Sequence, residues 1–114
     1  MISEMPKVSI ILPFKNSSGT INECITSILR QNLNHWELIA IDDHSTDSSF
    51  SMVESFCKVD KRITILKNPG DGIVDSLNFG IKKANTLLIA RMDADDIMHP
   101  KRLLLQVERL EEKR

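Results

Sequence analysis

Four times along this chain a short apolar run gives way to a segment whose apolar residues recur at helical spacing, and that alternation admits few folds. Val8 to Leu12 is apolar apart from Ser9 and is closed by Pro13. Its length and β-branched content suit a buried parallel strand. Ile21, Cys24, Ile25, Ile28 and Leu29 then fall at i, i+3, i+4, i+7 and i+8, one stripe of a helix beginning near Thr20. Thr20 and Glu23 stand at capping-box spacing. Leu38 to Ile41, introduced by Trp36, predicts a second strand that ends in Asp42 and Asp43. "HSTDSS" follows as a polar turn in which Ser45, Thr46 or Asp47 caps a helix carrying Val53, Phe56 and Cys57 inward. Ile63 to Leu66 predicts a third strand, "KNPGDG" a loop, and Val74, Leu77, Ile81 and Ala84 the inner stripe of a third helix. Thr86 to Ala90 predicts a fourth strand, and Pro100 opens a last helix with Leu103, Leu104, Val107 and Leu110 on its apolar face. Such alternation predicts an α/β fold, a parallel sheet of about four strands flanked by helices in βαβ units.

Polar residues gather where the predicted strands end: Lys15 and Asn16 after the first, Asp42 and Asp43 after the second, Asp93, Asp95 and Asp96 after the fourth. Open α/β sheets bind ligands outside the carboxyl ends of their strands, so these clusters are expected to converge on one crevice. Carboxylates crowded as Asp93, Asp95 and Asp96 are repel one another unless a cation or strong donors hold them. A hard divalent cation, Mn²⁺ or Mg²⁺, takes one or two protein carboxylates together with waters and phosphate oxygens. In an extended segment Asp93 and Asp95 would point the same way, with Ala94 turned back to the sheet. The plainer alternative is a solvated acidic turn with Asp95 or Asp96 near the start of the last helix. Asp42 and Asp43 pose the same choice, between accepting N–H groups of the turn that follows and accepting the imide N–H of a uracil ring or a ligand hydroxyl.

Composition narrows the partners. With 15 Lys plus Arg against 16 Asp plus Glu and a formal charge of −1, the 114 residues carry no nucleic-acid footprint. No apolar run approaches the roughly 18 residues a membrane span requires. The start, "MISEMPKVSIILPF", lacks a signal-type apolar core and cleavage site. Cys24 and Cys57 lie far apart without a CxxC or a neighbouring His in metal spacing. Both are expected to be buried reduced thiols, which with the rest implies a cytoplasmic compartment.

"VSIILPFKN", "LIAIDDHSTDSS", "GIVDSLNFGIKKA" and "LIARMDADDIMHPKRL", in this order and spacing, resemble the nucleotide-binding half of family 2 glycosyltransferases of the GT-A fold, across roughly residues 6 to 113. The resemblance implies a Rossmann-like sheet forming the first half of a GT-A domain, with residues 1–114 the nucleotide-sugar-binding part, truncated on its C-terminal side. It implies that Pro13 and Phe14 lie against the nucleoside through backbone atoms, and that Asp43 binds the base, most naturally uracil. Asp93 would reach the ribose or the metal-bound diphosphate, and Asp95, with Asp93, would ligate Mn²⁺ or Mg²⁺. Enzymes of the family move a sugar from a nucleoside diphosphate sugar to an acceptor hydroxyl, on a saccharide or a lipid-linked sugar in the full enzyme.

Lys15 stands where the family commonly has Tyr, and His44 where it often has Gly. The family's general base comes from the half that follows the acidic strand and helix, so it is expected beyond residue 114 and the chain alone is expected to be inactive. Self-association through surface left uncovered on that side is a further expectation. A non-catalytic nucleotide-binding module is the alternative. A nucleotidyltransferase would need a Gly-rich basic loop after the first strand, and "LPFKNSSGT" has one Gly and one Lys.

Overall fold

A computed structural model describes residues 5–112. Its elements are β1 (Val8–Phe14), α1 (Ile21–Leu29), β2 (Trp36–Asp42), α2 (Ser49–Val59), β3 (Ile63–Lys67), α3 (Ile73–Lys83), β4 (Leu88–Arg91) and α4 (Arg102–Glu112). All strand pairs are parallel and the sheet order is β3-β2-β1-β4. The expected α/β fold is therefore present. β1 and β2 are buried along nearly their whole length, which is why they read as continuous apolar runs. Val8, Ile10, Leu12 and Phe14 of β1 join Leu38 and Ala40 in a core with Ile21, Ile25, Ile28, Val53, Leu103 and Val107, so α1, α2 and α4 share one face. Ile11, Ile39 and Ile41 point the other way, against Leu77, Phe79 and Ala84 of the α3 region.

Pro13 does not close β1, which continues to Phe14. In a parallel ladder both polar groups of a residue face the same neighbour. Ile11 faces β4, since its carbonyl accepts the Met92 amide, and Phe14 faces β2, since its carbonyl accepts the Asp43 amide. Pro13 thus faces the β4 side, where pairing has already stopped at Ile11 and Arg91, and its missing N–H costs no bond.

α3 departs from its predicted stripe. Leu77 and Ala84 pack inward, but Val74 is 66% exposed and Ile81 48% exposed, while Ser76 and Gly80 are buried. The reason is close approach: a Cβ on Gly80 would lie 2.6 Å from Ile11 Cγ2. Small residues at Ser76, Gly80 and Ala84 let α3 settle onto β1 beside Leu77, and Val74 and Ile81 are turned out. β4 begins at Leu88 rather than Thr86, because Thr86 Oγ1 shares a hydrogen bond with Ser9 Oγ (2.7 Å) while Glu37 accepts from Asn85 N (2.7 Å) and Nδ2 (2.9 Å). α4 carries Leu103 and Val107 inward as expected, whereas Leu110 is 42% exposed. Cys24 is buried and Cys57 half-buried, both as free thiols. Among the described residues no helix is long and apolar enough to cross a membrane.

The capping box does not form. Thr20 makes no side-chain cap bond, and its amide and that of Ile21 both donate to the Ser17 carbonyl instead. Asp47 serves α2, accepting from Ser49 N (2.9 Å) through Oδ1 and from Ser18 N (3.1 Å) through Oδ2. Hydrogen bonding by Ser49, side chain then amide, holds the Asp47 carboxyl at about 2, below its ordinary 3.8. Because the folded value is depressed, the unfolded chain takes up the proton first. The stabilisation is complete above about pH 4 and is lost as pH falls through about 2. An NMR titration of the Asp47 carboxyl carbon is expected to show a midpoint near 2. A midpoint at the ordinary value would contradict this clasp between the loops after β1 and β2.

Candidate functional site

The carboxyl ends of β1, β2 and β4 open on one rim. β4 lies outside β1 on the side away from β2, so the chain's course reverses there and the loops after β1 and β4 flank a crevice. Near β2 the crevice is a narrow pocket of about 90 Å³ lined by Pro13, Phe14, Lys15, Asp43, Ile73 and Ser76. Toward β4 it widens to a cleft of about 460 Å³ that shares Pro13, Phe14, Lys15 and Ile73 and reaches Arg91, Asp93, Ala94 and Asp95. The three clusters converge as expected, though Asp42 and Asp96 do not line the crevice. Asp42 turns away, and its Oδ1 accepts the Ser45 amide (3.1 Å) as an ordinary turn acid.

Asp43 is held differently. It is buried, and its Oδ1 accepts from Asn68 Nδ2 (3.1 Å) and from the Gly72 amide (3.0 Å). Asn68 Nδ2 also lies 3.0 Å from Ser76 Oγ and 3.2 Å from the Gly72 carbonyl, so the loop after β3 and, through Ser76, α3 brace this carboxylate. Gly72 has φ 91°, a left-handed conformation that side chains rarely adopt, and it aims its N–H at Asp43. Among the described residues nothing donates to Asp43 Oδ2, the oxygen left for the pocket. Asn68 and Gly72 went unnoticed in the sequence, where "KNPGDG" signals only a loop; the Asn and two Gly were the available hint of an unusual backbone.

His44 occupies φ 61°, which accounts for a position where glycine is at home, and its Nε2 lies 2.7 Å from the Gly70 carbonyl. Asp43, His44 and Asp71 have ligand-type atoms within 4.8 Å of one another. Gly70 already engages His44 Nε2, and Asn68 and Gly72 already engage Asp43 Oδ1. At the start of the crevice the Phe14 carbonyl is taken by the Asp43 amide (2.9 Å), which leaves the Pro13 carbonyl, past the end of β4, as the backbone acceptor there.

The segment after β4 is not extended. The Asp96 amide donates to the Asp93 carbonyl (3.0 Å), making a turn with Ala94 and Asp95 at its centre. α4 begins only at Arg102, so neither Asp95 nor Asp96 sits at its first turn. The turn nonetheless places Asp93 and Asp95 together on the cleft. Arg91 Nε and a terminal nitrogen each approach Asp93 Oδ1 at 3.2 Å, with both side chains about half exposed. No hydrogen bond or ion pair among the described residues engages Asp95. An unengaged carboxylate beside a partly engaged one, open to a cleft, fits a hard cation that brings its own waters and phosphate oxygens. Beneath the turn, burial first and then the charges of Asp96, Asp95 and Asp93 push the Cys24 thiol up to about 12. It therefore stays protonated, with its sulfur 3.5 Å from the Asp93 carbonyl. Met92 and Met98, buried on either side of the turn, are packing residues.

Residues 9–114 match the family model described as glycosyl transferase family 2. The chain is similar to an uncharacterized glycosyltransferase of Haemophilus influenzae, 43% identical over 96 residues, which cover 83% of this chain and 30% of that protein. It is 38% identical over 101 residues to the Escherichia coli protein named UDP-Glc:alpha-D-GlcNAc-diphosphoundecaprenol beta-1,3-glucosyltransferase WfgD, covering 88% of this chain and 39% of the relative. In fold it is similar to S. aureus TarS 1-349 in complex with UDP, at TM-score 0.85 and 24% identity over 93% of this chain and 32% of that one. It is also similar to mannosyltransferase PcManGT from Pyrobaculum calidifontis in complex with GDP-Man and Mn²⁺, at TM-score 0.77 and 24% identity over 88% of this chain and 30% of that one. The chain spans between 15 and 40% of the length of the curated relatives it matches.

Proposed function

The chain belongs to glycosyl transferase family 2, and on that premise we propose that residues 1–114 are the donor-binding part of a metal-dependent enzyme that transfers a sugar from a UDP-sugar to an acceptor hydroxyl. One observation carries the reading. A single crevice has a braced carboxylate with a free oxygen at its narrow end and two further carboxylates on its wide end, with Pro13 and Phe14 common to both. That is the layout a nucleoside diphosphate calls for. Asp43 Oδ2 accepts the imide N–H of uracil, backbone atoms of Pro13 and Phe14 bound the nucleoside, and the diphosphate extends toward Asp93 and Asp95. A relative named for UDP-Glc and a fold neighbour in complex with UDP support the choice of base.

Asp95, with Asp93 beside it, would hold Mn²⁺ or Mg²⁺, and PcManGT's complex with Mn²⁺ supports the cation. When bound, such an ion supplies Lewis-acid neutralisation of charge on the leaving diphosphate. Arg91 orients Asp93, and Lys15 at the mouth adds positive charge near the phosphates. The acceptor and the base that takes its proton are assigned to no residue of this chain.

Calorimetric titration of UDP in the presence of Mn²⁺ and then of a chelator tests the reading. Binding that requires the metal is the expected result. No binding in either condition would overturn the assignment to UDP, and GDP and dTDP titrated alongside would show whether another base is preferred.

A further inference from the structure

The acidic turn is an exposed arch between two fixed points. Upstream, the Met92 amide donates to the Ile11 carbonyl. Downstream, the chain is clasped by buried polar groups on and just after α1. Ser27 Oγ accepts the Met98 amide (2.8 Å) and donates to the Cys24 carbonyl (2.6 Å). Gln31 Nε2 donates to the His99 carbonyl (2.7 Å), while its Oε1 accepts the Leu103 amide (3.1 Å). That amide belongs to the first turn of α4 and has no partner within the helix, so a side chain just after α1 caps α4. Ser27 is 7% exposed and Gln31 4%, and each is satisfied on both its donor and its acceptor side. Buried polar side chains cost free energy that packing alone would not repay with Leu or Ala available. Their orientation shows what they serve, since both reach into the segment that follows the acidic turn.

We infer that Ser27 and Gln31 are positioning residues for the Asp93–Asp96 turn, fixing its downstream end so that Asp93 and Asp95 are presented to a cation without further ordering. The inference rests on the metal and nucleotide reading above. An arch tied at both ends loses less freedom when it closes on an ion than one tied at a single end. Supporting partners of metal ligands contribute about 10- to 100-fold in metal affinity when removed elsewhere.

The test uses the whole chain with Ser27→Ala, and with Gln31→Met, which keeps volume and removes both hydrogen-bonding ends. Calorimetry with UDP is run at several Mn²⁺ concentrations, and Mn²⁺-induced NMR line broadening is read at the Asp93–Ile97 amides. Both variants are expected to need about 10-fold more Mn²⁺ for the same UDP affinity. In chelator the variants, like the unmutated chain, should bind no UDP, and at saturating Mn²⁺ their UDP affinity should match that of the unmutated chain, because the Asp43 end is untouched. Amide exchange at Met98 and Leu103 should quicken in the matching variant while the β1 and β2 amides stay protected, which separates loss of the clasp from loss of fold. Unchanged Mn²⁺ dependence in folded variants would overturn the inference. Absence of Mn²⁺-dependent UDP binding in the unmutated chain would overturn the functional reading, and the inference with it.

Discussion

Asp95→Ala is expected to abolish Mn²⁺-dependent UDP binding and leave the thermal unfolding curve unchanged. The two halves of that expectation come from the same fact. Asp95 is exposed at the centre of a turn, and no hydrogen bond or ion pair among the described residues engages it. Removing such a side chain moves stability by no more than about 0.5 kcal/mol. Removing one of two carboxylates from a cation that also bears phosphate oxygens should weaken Mn²⁺-dependent affinity by about 100-fold or more, equivalent to about 2.7 kcal/mol. Asp93→Ala should behave less cleanly, because it also leaves Arg91 without its partner beside the cleft. Calorimetry in Mn²⁺ and in chelator reads the first half and a melt reads the second. Unchanged affinity of the Asp95→Ala variant in Mn²⁺ would remove this turn from the metal site and turn attention to the group formed by Asp43, His44 and Asp71.

The sheet was legible because both faces of β1 and β2 are covered, so burial wrote itself into the sequence as unbroken apolar runs. The rim was legible for a related reason: charge placed directly after such a run has to emerge at a strand end. What escaped was set by contacts between segments distant in sequence. The inner face of α3 follows from how closely Gly80 lets it approach Ile11, and hydrophobic periodicity weights large residues over small ones. Thr20 fails as a side-chain cap because Ser17 already organises that turn, and Asp47 reaches back to bind the Ser18 amide. The turn at Asp93–Asp96 replaced the expected extended segment because the chain must leave β4 and reach the clasp on α1. Asn68 and Gly72 were invisible as site residues, since nothing local shows that a loop after β3 will close over a carboxylate after β2.

At the other end of the crevice, Asp43→Asn is expected to exchange base preference rather than simply weaken binding. The Asp43 carboxylate has divided duties, with Oδ1 receiving Asn68 and Gly72 and Oδ2 left to the pocket. Asparagine in the same rotamer keeps an oxygen for Asn68 and Gly72 and turns an NH₂ toward the ligand. A donor now faces the donor imide of uracil, and UDP affinity in Mn²⁺ should fall by about 10- to 100-fold, or about 1.4 to 2.7 kcal/mol. Cytosine presents an acceptor at that ring nitrogen, so CDP should bind the variant better than UDP does. Asp43→Ala separates the structural part of the same carboxylate. It strands the Gly72 amide and an Asn68 proton, at about 1 to 3 kcal/mol for a buried donor left unpaired, and should lower the denaturation midpoint as Asp43→Asn does not. Competition between UDP and CDP, measured on both variants at fixed Mn²⁺, decides the matter. An Asp43→Asn variant that still prefers UDP as strongly as the unmutated chain would show that this oxygen does not read the base, and would return Asp43 to the role its buried hydrogen bonds already give it, that of a brace holding the loop after β3 against the rim.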